Sequence, residues 1–152
     1  MLKNINKNIK ILYVEDDEVA RENGIEYLQN FFAQIYEASD AIKALQLYEK
    51  YQPDIIITDI QMPKLNGLEF VQRIRQKDKK TKIIIITAFC EKDYLLKAIE
   101  LGLVKYLVKP VSEKEFEEAL LLCVNSLQNN ESNIIKLDEN SYFDIFNKNL
   151  LI

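Results

Sequence analysis

Apolar residues along this chain follow two alternating rhythms. Short runs rich in β-branched residues, such as Ile9-Lys10-Ile11-Leu12-Tyr13-Val14 and Ile55-Ile56-Ile57-Thr58, give way to longer stretches with apolar positions spaced as on one helix face. The first rhythm is that of strands and the second that of half-buried helices. The pattern predicts strands at 9–14, 35–38, 55–58, 82–87 and 104–108. Helices are expected at 17–31, from 39 or 40 to 51, around Leu68, Val71 and Ile74, at 91–101, and from 112 to about 127. Asp17 and either Ser39 or Asp40 are candidate N-caps, and Ser112-Glu113-Lys114-Glu115 reads as a capping box. Gly102 suits the end of the fourth helix. Pro53 ends the second helix, and Pro63 and Gly67 bracket the loop before the third.

The Ile runs at 55–57 and 83–86 show no alternation of polar and apolar residues. Such strands are buried on both faces, as in a parallel sheet covered by helices. Strands alternating with helices through short loops make βαβ units, and right-handed crossovers restrict them to a doubly wound sheet. The commonest five-stranded form is flavodoxin-like (βα)5, order 2-1-3-4-5, with ligands at the carboxyl ends of the strands. That order gathers Glu15 and Asp16 after strand one, Asp59 after strand three, Thr87 ending strand four and Lys109 after strand five.

Composition narrows the chemistry. At 152 residues there is room for one domain and an appendage. A formal net charge of −4 gives no electrostatic footprint for nucleic acid. No apolar run is long enough to span a membrane and the start resembles no signal peptide, so no membrane contact and a cytoplasmic location are expected. The chain has no His, so Cys90 and Cys123 build neither a zinc site nor a Cys-His nucleophile. Gly24, Gly67 and Gly102 are the only glycines and cannot make a phosphate-cradling loop, which sets a nucleotide-binding enzyme aside. Acid–base and metal work falls to Asp, Glu and Lys.

Each candidate has an ordinary role when taken alone. Glu15-Asp16-Asp17-Glu18 suits a solvated helix N-terminus, Asp59 a turn after a strand, Thr87 a strand-end hydroxyl and Lys109 a surface lysine. Gathered at one edge, the carboxylates repel one another unless a cation joins them. Mg²⁺ (or Mn²⁺) takes carboxylate and carbonyl oxygens and leaves positions for a phosphoryl group. Asp16, Asp59 and the backbone carbonyl of Gln61 would be its ligands. Asp59 would then be the nucleophile that forms an acyl phosphate, with Lys109 neutralising the transferring oxygens and Thr87 donating to them.

Four segments carry a family resemblance: Val14-Glu15-Asp16-Asp17; Ile57-Thr58-Asp59-Ile60-Gln61-Met62-Pro63 with Gly67; Ile86-Thr87-Ala88; and Tyr106-Leu107-Val108-Lys109-Pro110. In this order they resemble the receiver domain of two-component response regulators over roughly residues 8 to 128. The resemblance implies a sensor histidine kinase as partner, Asp59 as its phosphorylation site, and Glu15 reaching the metal through water. It also implies Thr87 and Tyr106 as a switch pair: Thr87 moves toward the phosphate and Tyr106 turns inward. The fourth helix, fifth strand and fifth helix are then the output face and a homodimer surface. The protein would be a signalling phospho-acceptor rather than an enzyme, and the large Phe89 would slow hydrolysis. Residues 1–128 form the receiver in this reading and 129–133 a linker. Residues 134–152 form a β-hairpin-like tail, similar to the opening strands of the winged-helix effector domain of OmpR-type transcription regulators. The chain is expected to be truncated there, with DNA contact only through the missing part. The alternatives are a Mg-dependent phosphatase or phosphotransferase with an Asp nucleophile, and a stand-alone receiver that binds proteins. The haloacid dehalogenase kind of phosphatase needs a second Asp two residues past the nucleophile, where Gln61 stands.

Overall fold

The computed structural model describes residues 7–88 and 90–129 of the chain. Phe89 and the tail expected at 134–152 lie outside the described residues, as does the linker apart from Asn129. The strands are β1 (Lys10–Val14), β2 (Gln34–Ala38), β3 (Ile55–Thr58), β4 (Lys82–Thr87) and β5 (Lys105–Val108). Between and after them run α1 (Glu18–Leu28), α2 (Ala41–Tyr51), α3 (Gly67–Lys77), α4 (Lys92–Glu100) and α5 (Glu113–Asn129). The sheet is parallel, in the order β2-β1-β3-β4-β5. The flavodoxin-like expectation holds.

Strand parity divides the core in two. Ile55 and Ile57 of β3 join Ile11, Tyr13, Ile84, Ile86 and Leu107 beneath α1 and α5. Ile56 joins Leu12, Val14, Ile83, Ile85, Tyr106 and Val108 beneath α2, α3 and α4. Successive side chains on a strand point to opposite faces, so an unbroken Ile run serves a sheet with helices on both sides. Central β3 is buried throughout its length.

The helix ends show which local signals acted. Asp17 Oδ2 accepts from Ala20 N at 2.9 Å, and Asp40, rather than Ser39, caps α2 by accepting from Lys43 N at 2.8 Å. Asn66 caps α3 by accepting from Glu69 N at 2.9 Å. Ser112 Oγ accepts from Glu115 N at 3.1 Å, which forms one half of the expected capping box. Gly102 takes a φ of 69° just past α4, a left-handed cap that a side chain would strain. Helix α1 stops at Leu28, three residues short of expectation (Phe31), because the amides of Phe31 and Phe32 both turn back to the Leu28 carbonyl, at 3.0 and 2.9 Å. That turn buries Phe32 in the core.

Candidate functional site

Each strand end delivers its side chain by continuing the sheet ladder for one residue. Glu15 N donates to Ala38 O at 3.1 Å, Asp59 N to Val14 O at 3.1 Å, and Lys109 N to Thr87 O at 2.8 Å. Residues that follow three strands are thereby brought to one edge although they are far apart in sequence. Lys109 Nζ lies 2.6 Å from Glu15 Oε1 and 2.8 Å from Asp59 Oδ2. The second Asp59 oxygen, Oδ1, accepts from Gln61 N at 3.0 Å. Carboxylate oxygens of Glu15, Asp16 and Asp59 lie within 4.8 Å of one another. Glu15 and Asp59 are buried and Asp16 is exposed.

Burial and charge act in opposite directions here. Burial raises the Glu15 carboxyl above its usual range; Lys109 pulls it back only in part, while Asp59 and a hydrogen bond with Asp16 push it further up. Burial also lowers Lys109, but its two carboxylate partners outweigh that and hold it above the ordinary lysine value. Tyr13, buried behind the cluster, is pushed up to about 12 by burial first and by Glu15 second. Lys109 is therefore firmly cationic among three acids that repel one another.

The other expected residues stand close by. Thr87 is fully buried at the end of β4. Tyr106 is buried in the core on the α2–α4 side, so its ring already holds the inward position. Gln61 meets Asp59 through its N–H, whereas the expectation concerned its carbonyl. The Lys109–Pro110 bond is cis. A cavity of about 440 Å³ opens beside the cluster, lined by Asp16, Gln61, Met62, Pro63, Asn66 and Tyr94 among others.

An oxygen-only donor set of three carboxylates fits a hard divalent cation such as Mg²⁺ or Mn²⁺ better than a soft one. The gathered acids suit the expected metal.

Several supports escaped sequence reasoning. Arg21, one turn into α1, donates to the Glu15 carbonyl at 2.8 Å and pairs with Glu37 at 3.6 Å, which fixes the backbone that aims Glu15. Gly67 N donates to Ile60 O at 2.8 Å, and a methyl built on Gly67 would overlap the Asp59 carbonyl oxygen. Only glycine lets α3 begin this close to Asp59. Gly24 plays a similar part in α1, where a methyl would overlap the Tyr13 ring. The N-x-x-E spacing of Asn66 and Glu69 was a readable cap signal; Gly67 stood in the motif after Asp59 without disclosing its close approach, and Gly24 had no signal in the sequence.

The response regulator receiver domain model matches residues 11–121. The chain belongs to that family. Among curated relatives, the transcriptional regulatory protein BtsR of Escherichia coli is 37% identical over 114 residues, which cover 74% of this chain and 46% of BtsR. The chain spans about half the length of the curated relatives it matches. Among solved structures, the N-terminal domain of an uncharacterized protein from Wolinella succinogenes is 41% identical with a TM-score of 0.76, covering 81% of this chain and 99% of that one. A DNA-binding response regulator of the LuxR family from Staphylococcus aureus is 29% identical with a TM-score of 0.72, covering 77% and 99%. Among the described residues of this receiver, no helix is long and apolar enough to cross a membrane.

Proposed function

We propose that this receiver accepts a phosphoryl group on Asp59 from the phosphohistidine of a sensor histidine kinase and passes the change to α4, β5 and α5. The observation that carries the reading is Lys109 Nζ held between Glu15 and Asp59, with the Asp16 carboxylate beside them. Asp59 is the nucleophile: one carboxylate oxygen attacks phosphorus while the bond to the donor nitrogen breaks. Lys109 offsets the charge of the oxygens in transfer, and the Thr87 hydroxyl donates to one of them. A divalent cation held by Asp16, Asp59 and the Gln61 carbonyl, with Glu15 acting through water, supplies further charge neutralisation when bound. The added phosphate charge draws on Thr87, and Tyr106, already inward, is held there.

Output belongs to the same proposal. The face of α4, β5 and α5 is the surface for a homodimer or another partner, in the cytoplasm. Transcriptional control is supported by the likeness to BtsR, a transcriptional regulatory protein, and to the DNA-binding LuxR-family regulator. An OmpR-type winged helix is supported only by the sequence pattern of residues 134–137 and 142–146. The LuxR-family regulator belongs to a different family of DNA-binding regulator.

Incubating the chain with acetyl phosphate and Mg²⁺ tests this. One acid-labile phosphate per chain, lost with a chelator and in Asp59→Asn, is expected. Continuous consumption of the donor with no stored phosphate would mean a phosphatase instead.

A further inference from the structure

One wall of the cavity beside the acids comes from a helix rather than from the strand ends. Asp16 follows β1, while Gln61, Met62, Pro63 and Asn66 belong to the β3–α3 loop, and Tyr94 sits on α4. The loop wall is fixed by its own bonds. Asn66 accepts from Glu69 N at 2.9 Å and donates to Glu69 Oε1 at 3.2 Å, and Leu65 N donates to Pro63 O at 3.0 Å. Tyr94 is half-buried, packs on the core, and supplies the one aromatic ring among the lining residues. Asp16 is the one carboxylate on the lining, so a phosphoryl donor reaching Asp59 past it would have the acidic cluster beside the cavity and a tyrosine ring within it.

We propose that Tyr94 is a specificity-determining residue: its ring, sharing a cavity with Asp16 and Gln61, seats the leaving group of the phosphoryl donor. A planar nitrogen heteroaromatic leaving group, the imidazole of a phosphohistidine, is favoured over a small acyl group. The inference rests on the reading of Asp59 as phosphoryl acceptor and adds the determinant of donor class. In the step itself, an Asp59 carboxylate oxygen gives an electron pair to phosphorus. The P–N bond breaks with its pair going to the ring nitrogen; from the donor form protonated on the other ring nitrogen, the ring leaves as neutral imidazole. No oxidant or reductant is involved. A ring packed on a ring is stabilised beyond its area burial, and a non-planar or smaller group gains less.

The test compares monophosphoimidazole with acetyl phosphate on the full chain in Mg²⁺, following phosphorylated protein by mass. The readout is the ratio of the two rate constants, which a general loss of stability would not move. In Tyr94→Ala the ratio of monophosphoimidazole to acetyl phosphate should fall roughly three- to ten-fold. In Tyr94→Phe, which keeps the ring, it should stay within about a factor of two. If Tyr94→Ala does not fold, Tyr94→Leu keeps bulk without a ring and carries the same expectation. An unchanged ratio in the ring-less variant overturns the inference, and so does an equal fall in Tyr94→Phe. If neither donor phosphorylates the wild-type chain, the reading of Asp59 fails and this inference with it.

Discussion

Arg75 makes four hydrogen bonds to backbone carbonyls outside the acidic cluster, and its removal tests the packing account directly. It lies in the last turn of α3, at the sheet edge opposite Asp59. Its Nε donates to Leu101 O at 2.7 Å, Nη1 to Asp78 O at 3.0 Å, and Nη2 to Thr81 O at 2.7 Å and Gly102 O at 3.1 Å. One guanidinium thus ties the end of α4 and the loop into β5 to the α3–β4 turn. Burial lowers its pKa, and Asp78 and Tyr48 only partly restore it. Replacement by Met keeps the stem and leaves four carbonyls without this donor. An unsatisfied buried carbonyl costs about 1–3 kcal/mol, and Arg75 is only part-buried, so water can reach some of the four. If about half are rehydrated, Arg75→Met should lose ~2–6 kcal/mol. Arg75→Lys, a point donor without the planar fork, should lose ~1–2 kcal/mol. Urea unfolding at constant slope measures both, and amide exchange at Gly102 to Val104 should quicken before exchange in β3 does. A loss below about 1 kcal/mol in Arg75→Met, or Arg75→Lys as stable as wild type, would refute the clamp.

Two further predictions follow from the structure. In Gly67→Ala the new methyl would stand 2.8 Å from the Asp59 carbonyl carbon and 2.9 Å from Ile60 Cα, after overlapping the Asp59 oxygen. The variant should lose ~1–3 kcal/mol in urea titration and phosphorylate more slowly at Asp59; wild-type stability together with wild-type rate would contradict this. Asp78 contributes a pH-dependent part of the stability. Burial alone would raise its carboxyl, but the Tyr48 hydroxyl at 2.6 Å, the amides of Lys80 and Thr81 at 2.8 and 3.1 Å, and Arg75 together hold it below the usual range. Because the folded value is depressed, its stabilisation is complete above the unfolded value of about 3.9 and is lost as pH falls through the lower folded value. The stability gap between wild type and Asp78→Asn should therefore shrink as pH drops below about 4, and a gap independent of pH would contradict the assignment.

The sheet order and the gathering of Glu15, Asp16, Asp59, Thr87 and Lys109 were legible because both follow from local patterns. An unbroken Ile run needs two helical layers, and parallel strands with right-handed crossovers leave few wirings. Strand register then carries Asp59 beside Val14 and Lys109 beside Thr87. Contacts that depend on approach rather than period were not legible. Arg75 sits near Arg73 and Lys77 in a helix whose last turn ordinarily favours cations, and nothing local distinguishes the one that turns inward. Phe31 reads as the last residue of the helix, yet the chain turns three residues earlier because burying Phe32 needs a change of direction. Tyr94 carries an ordinary helical period, and only the packing of α4 beside the β3–α3 loop brings it to the cavity.

The central claim is that Asp59, and neither of its acidic neighbours, takes the phosphoryl group. Borohydride reduces an acyl phosphate to the alcohol and leaves free carboxylates intact. The chain should be treated with a small phosphoryl donor and Mg²⁺, reduced, digested and read by peptide mass. The account predicts conversion of Asp59 to homoserine, none at Glu15 or Asp16, and no conversion without Mg²⁺. Conversion at Glu15 or Asp16, or donor consumed with Asp59 intact, would contradict it.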